Sequence, residues 1–467
     1  MGINMKKVFM FLCFLVMTGC GQRTDGDGIA ESLHEYAIEE NGGNDGAAKD
    51  IPEHVSDTIV GEAGYEYKID ADVRADGYGN AAVYEMTVPQ ATDAFVKEYA
   101  DKLFDDSQYK VVKPYENMSL DELQEEEAFL KLMIEEGQNG GYIPGQLFFD
   151  ADEVASYIQN YTGEHVIELS EGQLLYEYIT TNEEAGKGET QVNEITRLRG
   201  KVDGEWWEMK FCNGDLGHLH MVMRNMFMPN NFTPLNMDEM SEVFYGANRS
   251  DKEKCEKAAA DFLSRFGITD RCLAHTGHMK LSEESDYLDG YRFAYTRDME
   301  VPVGFSTMNM ACTKNPYETL NGNFDYSGQF PLQGAVQDYI WIGVFEGRVG
   351  CMEIDTVYEM GKKMSEDTAL LNFEQVYEIA KQTIKKEIDD YKLVTDSEKA
   401  GINEICFRYL VISTENGQNY MVPVWMFYED LDVGYLDDRL VRFAVNAIDG
   451  SIVYLLSNGG AGYFVAF

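Results

Sequence analysis

Two clusters of imidazole and thiol carry the first chemical possibility in this chain. In His218-Leu219-His220 both imidazoles fall on one face of a strand, because side chains alternate with period two. Cys272, His275 and His278 follow at intervals of three. Imidazole and thiolate suit zinc and copper, so together these residues define a candidate metal site and, with it, a metal-dependent hydrolase. Nothing in the sequence brings the two clusters together. The expectation is therefore a chain that holds no metal and no other cofactor.

Carboxylates carry the second possibility. Asp430, Asp432, Asp437 and Asp438 surround Gly434 in a loop between two expected strands. They form a candidate calcium site, weighed against a solvated turn, which is preferred. Asp70-Ala71-Asp72-Val73-Arg74 begins like a calcium loop, fails at the fifth position and lacks the glycine that should come next. Acids number 82, too many for any catalytic pair to be singled out. There is no Gly-x-Ser-x-Gly, no HExxH, no P-loop and no GxGxxG. No catalytic residue is assigned.

Eight cysteines are present. None makes a CxxC, and the wide spacing of Cys212, Cys255, Cys272, Cys312, Cys351 and Cys406 is unlike a zinc knuckle. Cys255, Cys351 and Cys406 fall inside expected helix or strands and are read as core thiols.

The elements that must position these residues are clearest near the C-terminus. Asn372 and Gln375 have nearly the spacing of a capping box. Phe373, Val376, Tyr377, Ala380, Ile384 and Ile388 then form one apolar helical stripe. Strands are expected at 405–413 and 420–428 around Asn416-Gly417, and at 442–448 and 451–456 around Asp449-Gly450. Pro423 places its strand at an edge or a bulge, since proline donates nothing to a ladder. The pattern recurs upstream. Ser250 and Glu253 open a helix, 291–296 is a strand, and Glu300-Val301-Pro302-Val303 echoes Met421-Val422-Pro423-Val424. A hairpin at Glu346-Gly347 echoes the last one, and the stretch between Val303 and Tyr339 is expected as a loop outside the shared frame.

Further upstream, 65–88 reads as two strands broken at Asp76-Gly77. Helices are expected at 92–104, from Ser119 to about Glu136, and at 152–161. A meander at 166–169, 174–180, 194–202 and 206–212 turns at Asp203-Gly204. The fold class is α+β: an N-terminal α+β domain at 59–230, then two helix-on-antiparallel-sheet units at 231–365 and 366–467.

Before this body, Lys6 and Lys7 precede an apolar run at 8–17, too short to span a bilayer. Met17-Thr18-Gly19-Cys20 resembles the lipobox of bacterial lipoprotein signals. The resemblance implies cleavage after residue 19 and a diacylglycerol on Cys20. Residues 20–58 read as a polar, acidic linker with a mean reach of roughly 30–35 Å. The signal holds two lysines and no acid, so cleavage takes the net charge from −44 to −46. Such a charge argues against nucleic acid or anionic lipid as a partner of the protein surface.

The C-terminal half resembles the PepSY-like module of bacterial envelope proteins, through its helix, small sheet and closing hairpin Val445-Asn446-Ala447-Ile448-Asp449-Gly450-Ser451-Ile452. The whole chain resembles uncharacterised lipoproteins of clostridia. These resemblances imply a lipid-anchored extracytoplasmic protein that binds or regulates another envelope protein. A lipoprotein presenting a glycan or peptide to a transporter is the alternative, and the metal-dependent hydrolase the second.

Overall fold

The computed structural model describes residues 51–455, apart from 63, 65, 80, 141–144, 182–189, 214–218, 229–250, 281–288, 306–331, 337, 355–356, 366–367, 392–400, 414–417 and 430–439. Cys20, the signal, most of the linker, His218, Asn416-Gly417 and the acidic loop with Asp430, Asp432, Asp437 and Asp438 lie outside the described residues. The fold class is α+β, built on two large sheets.

The first sheet is antiparallel throughout. Its strands are β4 (Tyr109–Val111), β5 (Tyr176–Thr181), β6 (Thr190–Val202), β7 (Glu205–Asn213), β8 (Leu219–Asn225), β9 (Arg271–Lys280), β10 (Asp289–Arg297), β12 (Tyr339–Phe345) and β13 (Arg348–Ile354). The order is β4-β6-β7-β8-β13-β12-β10-β9, with β5 also on β6. It consists of two meanders, β5-β6-β7-β8 and β9-β10-β12-β13, joined where Arg224 of β8 faces Cys351 of β13. Helix α1 (Asp93–Leu103) precedes the first meander and α4 (Lys252–Arg265) the second. Both cover the same face. Val96, Ala100 and Leu103 of α1 and Cys255, Ala259, Phe262 and Leu263 of α4 share one core with Phe211, Met221, Phe293, Ile342 and Met352. Burial of this stripe, at about 25 cal/mol per Å² of apolar surface, is what makes each helix stay. Thr92 caps α1 by accepting from the Phe95 amide at 3.2 Å. Asp251 caps α4 in the same way, one residue after the expected Ser250.

The second sheet holds β1 (His54–Val60), β2 (Glu66–Arg74), β3 (Val83–Thr87), β11 (Leu332–Val336), β14 (Glu359–Ser365), β15 (Gly401–Ser413), β16 (Asn419–Glu429), β17 (Leu440–Asn446) and β18 (Ile452–Leu455). A third meander, β15-β16-β17-β18, follows α5 (Phe373–Tyr391) in the same order as the second. Phe373, Val376, Ala380, Ile384 and Ile388 are all buried against it. The α5 cap is reciprocal: Asn372 N–H donates to Gln375 Oε1 at 3.0 Å, and Gln375 N–H to Asn372 Oδ1 at 2.9 Å.

The two helices lie on equivalent faces. Counted back from the turns at Glu346-Gly347 and Asp449-Gly450, Ile340, Ile342 and Val344 share a core with α4. Phe443, Val445 and Ala447 share one with α5. The turns themselves differ. Glu346 and Gly347 have φ of 51° and 79°, as a two-residue type I′ turn demands. At the other, only Gly450 has positive φ, and its N–H reaches back to Asn446 O at 2.9 Å across a longer loop.

The Val-Pro-Val strands do not coincide. The second meander begins at Arg271, so 291–296 is its second strand and not its first. Val301 to Phe305 instead leaves that sheet and lies along β15. Tyr409 N–H donates to Pro302 O at 2.9 Å, and Gly304 N–H donates to Tyr409 O at 2.7 Å. Pro423 sits in β16, a central strand, neither at an edge nor beside a bulge. The reason is local. Tyr409, its partner across the ladder, spends both backbone groups on the opposite edge, so nothing on β15 requires a Pro423 amide. On its other side Pro423 falls where β17 ends, at Asn446 opposite Val424, and before β3 begins opposite Met421.

Three further expectations change. The stretch between Val303 and Tyr339 is not all loop, because Leu332–Val336 pairs in parallel with β18 and antiparallel with β15. Ordered strand begins at His54, inside the expected linker. Residues 166–169 form no strand; Ile167 bonds to Asn117 O and to the Lys113 ammonium instead. Sheet membership also does not follow a division of the chain at 231 and 366. The strands of 54–87 complete the sheet of the C-terminal meander, while β4 to β8 join that of the middle one.

Candidate functional site

The face of the first sheet turned away from α1 and α4 gathers most of the chemistry. Strand register aligns it in two rows. One runs Arg199, Glu208, Arg224, Cys351, Gly343 and Arg292 across β6, β7, β8, β13, β12 and β10. The other runs Arg197, Lys210, Val222, Glu353, Trp341, Ala294 and His275, ending on β9.

The β6 end of this face is closed by a helical hairpin, α2 (Leu120–Gly140) and α3 (Gly145–Gln159). Ser119 and Glu122 start α2 with a reciprocal capping box, at 2.7 and 3.3 Å. Helix α2 brings Glu126, and α3 brings Asp150, onto the sheet. Arg199 binds both oxygens of Glu126, at 2.7 and 2.9 Å. Glu208 accepts from Arg197 at 2.6 Å, from Arg224 at 2.9 Å and from Arg199 at 3.2 Å. Asp150 stands 3.8 Å from Arg197. Burial pushes the Glu208 carboxyl up, and the charges of Arg197, Arg224 and Arg199 outweigh it, holding that carboxyl well below the ordinary range. Asp150 is moved the other way by burial, which its arginine neighbours only partly offset. Burial also raises the Tyr115 phenol beside them to about 12. Three arginines and three carboxylates thus offset one another in the interior, with Lys110 3.7 Å from Glu126 at the exposed rim. Such a cluster fixes the hairpin on the sheet.

Beyond the hairpin the face is less closed. His220 Nε2 lies 2.9 Å from Glu353 Oε1, and both side chains are partly exposed. The Arg292 guanidinium lies 3.6 Å above the Trp341 ring. Phe305, Tyr339 and Trp341 meet edge to face at centroid distances of 5.1 to 5.7 Å, and His275 stacks on Phe305 at 5.8 Å.

The predicted metal residues are not brought together. His220 is on β8 and His275 on β9, with β13, β12 and β10 between them. Four strand spacings make about 19 Å. Cys272 approaches Thr296 Oγ1 at 3.9 Å and Arg297 O at 3.7 Å. His278 lies on the same strand; its side chain is outside the described residues. Among the described residues no group of three or more His, Cys, Asp or Glu has the geometry to hold a metal ion. Asp70 and Asp72 serve a different end. Both accept from His54 on the neighbouring strand, each at 3.0 Å. Cys255, Cys351 and Cys406 are buried and form no disulfide.

Sequence reading missed the ionic cluster. Its signal was Arg197 and Arg199 on either side of Leu198 in β6, and Glu208 between Trp207 and Met209 in β7. Glu126 was hidden among the many carboxylates of α2.

No protein-family model matches this chain, and no curated protein matches it. Among solved structures, the chain is similar to an uncharacterised protein from Eubacterium rectale ATCC 33656, determined at 1.45 Å resolution. Identity is 13%, the match covers 92% of this chain and 99% of that one, and the TM-score is 0.37. At that level nothing about fold or function is transferred from it.

Proposed function

We propose that this protein is a lipid-anchored, extracytoplasmic binding or regulatory protein that acts on another envelope protein and catalyses no reaction. The lipobox at Met17 to Cys20 supports the location. The observation that carries the rest is the recurrence of one unit. A helix capped at its start is followed by a four-stranded antiparallel meander, with the helix on the equivalent face in the α4 and α5 copies. This recurrence supports a PepSY-like reading of residues 251–455, and the mismatch of the Val-Pro-Val segments, on which the expected alignment rested, counts against it. The buried carboxylates found on the candidate face are held by arginines, which supports a role as scaffold over a role in acid–base chemistry.

Two measurements test the proposal. Cys20→Ala should shift the protein from the membrane fraction to the medium, or leave it unprocessed. Retention on the membrane with a processed N-terminus would sink the anchor. Photo-crosslinking groups placed in intact cells at exposed positions such as Phe149, Lys257 and Met360 should join the chain to one membrane protein. Adducts to peptidoglycan or to a transported peptide would favour the presenting lipoprotein instead.

A further inference from the structure

The helical hairpin α2–α3 has an outer face as well as the one that closes the sheet. Leu123, Leu130 and Met133 of α2 share a core with Leu147 and Val154 of α3. The opposite side of α2 carries Asp121, Glu125, Ala128, Leu132 and Glu135. Their intervals of four and three keep one stripe in line along a helix, and all five are exposed. On α3, Phe148 and Phe149 turn outward from the same core. Leu132 is 48% exposed, Phe148 45% and Phe149 67%. Seven large apolar side chains stand exposed among the described residues, and these three belong to one hairpin. Single apolar side chains at a surface need no explanation, but a group of them on one element marks an interaction site.

Charge identifies what covers it. The carboxylates of the hairpin divide in two. Glu126 is paired with Arg199, Asp150 stands by Arg197, Glu122 is paired with Lys113 and Glu127 with Lys131. Glu125, Glu135, Glu136, Asp152 and Glu153 are exposed, and among the described residues none of these five forms an ion pair. Glu135 and Glu136 also stand toward the C-terminal end of α2, where the helix dipole favours cations, and the last turn holds no basic residue. We infer that this outer face docks a basic amphipathic helix of the envelope partner. Its apolar residues would lie on Leu132, Phe148 and Phe149, and its lysines and arginines against the five carboxylates. A straight stripe suits a helix, which offers its anchors at i, i+3, i+4 and i+7. The net charge of −44 turns away an acidic segment or an anionic lipid surface. This inference rests on the partner-binding reading and names its surface.

The probe is a leucine–lysine peptide of about five helical turns, with leucine at helical spacing, titrated against the full mature chain and followed by hydrogen exchange. Exchange should slow in α2 and α3. Changing Glu135→Lys and Glu136→Lys together should weaken binding about tenfold. Lysine suits that end of α2, so this variant keeps its fold. Phe149→Ser should weaken binding about as much. Glu253→Lys with Glu374→Lys, at exposed positions of α4 and α5, alters the net charge equally and should leave Kd unchanged. Equal weakening by the two charge pairs would mean general attraction to an acidic protein, and would overturn the inference. So would equal binding of a peptide with the same composition and its leucines off the helical period, or no protection of α2 and α3. Phosphatidylcholine vesicles that slow exchange there as strongly would make the face a lipid contact and overturn it too. Crosslinking to a membrane protein from Lys257 or Met360 but not from Phe149 would sink this surface and leave the partner reading in place.

Discussion

Glu208 concentrates the residue-scale logic of the first sheet. It is a carboxylate with no exposure, bonded to three arginines that are themselves buried or nearly so. Taking one member away leaves the others charged and dry, and this costs more than the pair contributes net. Glu208→Ala should destabilise the protein by about 3–5 kcal/mol in urea unfolding. The same change should loosen the α2–α3 hairpin, because Arg199 would lose the carboxylate that orients it toward Glu126. His54 gives a second prediction at this scale. Both ring nitrogens lie 3.0 Å from carboxylate oxygens, an arrangement that favours the doubly protonated ring because each nitrogen can then donate. Its hydrogen bonds to Asp72 and Asp70 raise its pKa above 6.5. A raised folded value places the full stabilisation below the unfolded pKa and removes it as pH rises through the folded one. Amides of β1 should therefore exchange faster at pH 9 than at pH 6 after correction for intrinsic rates, and His54→Gln should flatten that difference.

At the scale of elements, the caps and the apolar stripes agree. Asn372 and Gln375 close the start of α5, and the stripe that begins at Phe373 places its ring 5.0 Å from Trp425 in the sheet below. Asn372→Ala removes the acceptor for the Gln375 amide and should cost about 1 kcal/mol in denaturant unfolding. Asn372→Gly, which keeps the backbone freedom, should cost only a few tenths. Strands were harder to read than helices. Arg271–Lys280 shows no apolar alternation at its exposed positions, so its sequence points to Cys272, His275 and His278 as a weak ligand candidate and not to a strand. Position 423 shows the opposite error. Proline marks an edge or a bulge by local rules, and only the ladder around Tyr409 reveals that no amide is needed there.

The whole molecule is bound together by strand exchange between distant stretches. β2 and β3 complete the sheet of the C-terminal meander, and β11, drawn from the β10–β12 connection, closes onto β15 and β18. Gly61 packs so tightly on Ile388 and Asp389 of α5 that a side chain there would collide. A chain lacking residues 51–90 should lose exchange protection in β15 and β16 while β7, β8 and β12 keep theirs. Equal loss in both sheets would mean that they fold as one unit, and unchanged protection of β15 would mean that β2 contributes nothing.

Sequence alone determined what depends on neighbours along the chain. The α5 stripe, the Ser119–Glu122 and Asn372–Gln375 caps, and the turns at Asp203-Gly204 and Glu346-Gly347 are local bargains between side chain and backbone. They were legible as such, as was the α+β class. Of the helix-plus-meander repeat, the helix, the 291–296 strand and the closing hairpin were legible in the upstream copy, but its first strand β9 was not, and Val-Pro-Val proved to lie outside that meander. Tertiary structure decided the rest. Which strand lies beside which is set by pairing energies between residues hundreds of positions apart. No local pattern announces that β2 will lie on β15, or that Arg199, Glu208 and Glu126 will meet. The candidate metal residues show the same limit, since spacing along the chain could propose His220 and His275 as a pair and only the intervening strands could separate them.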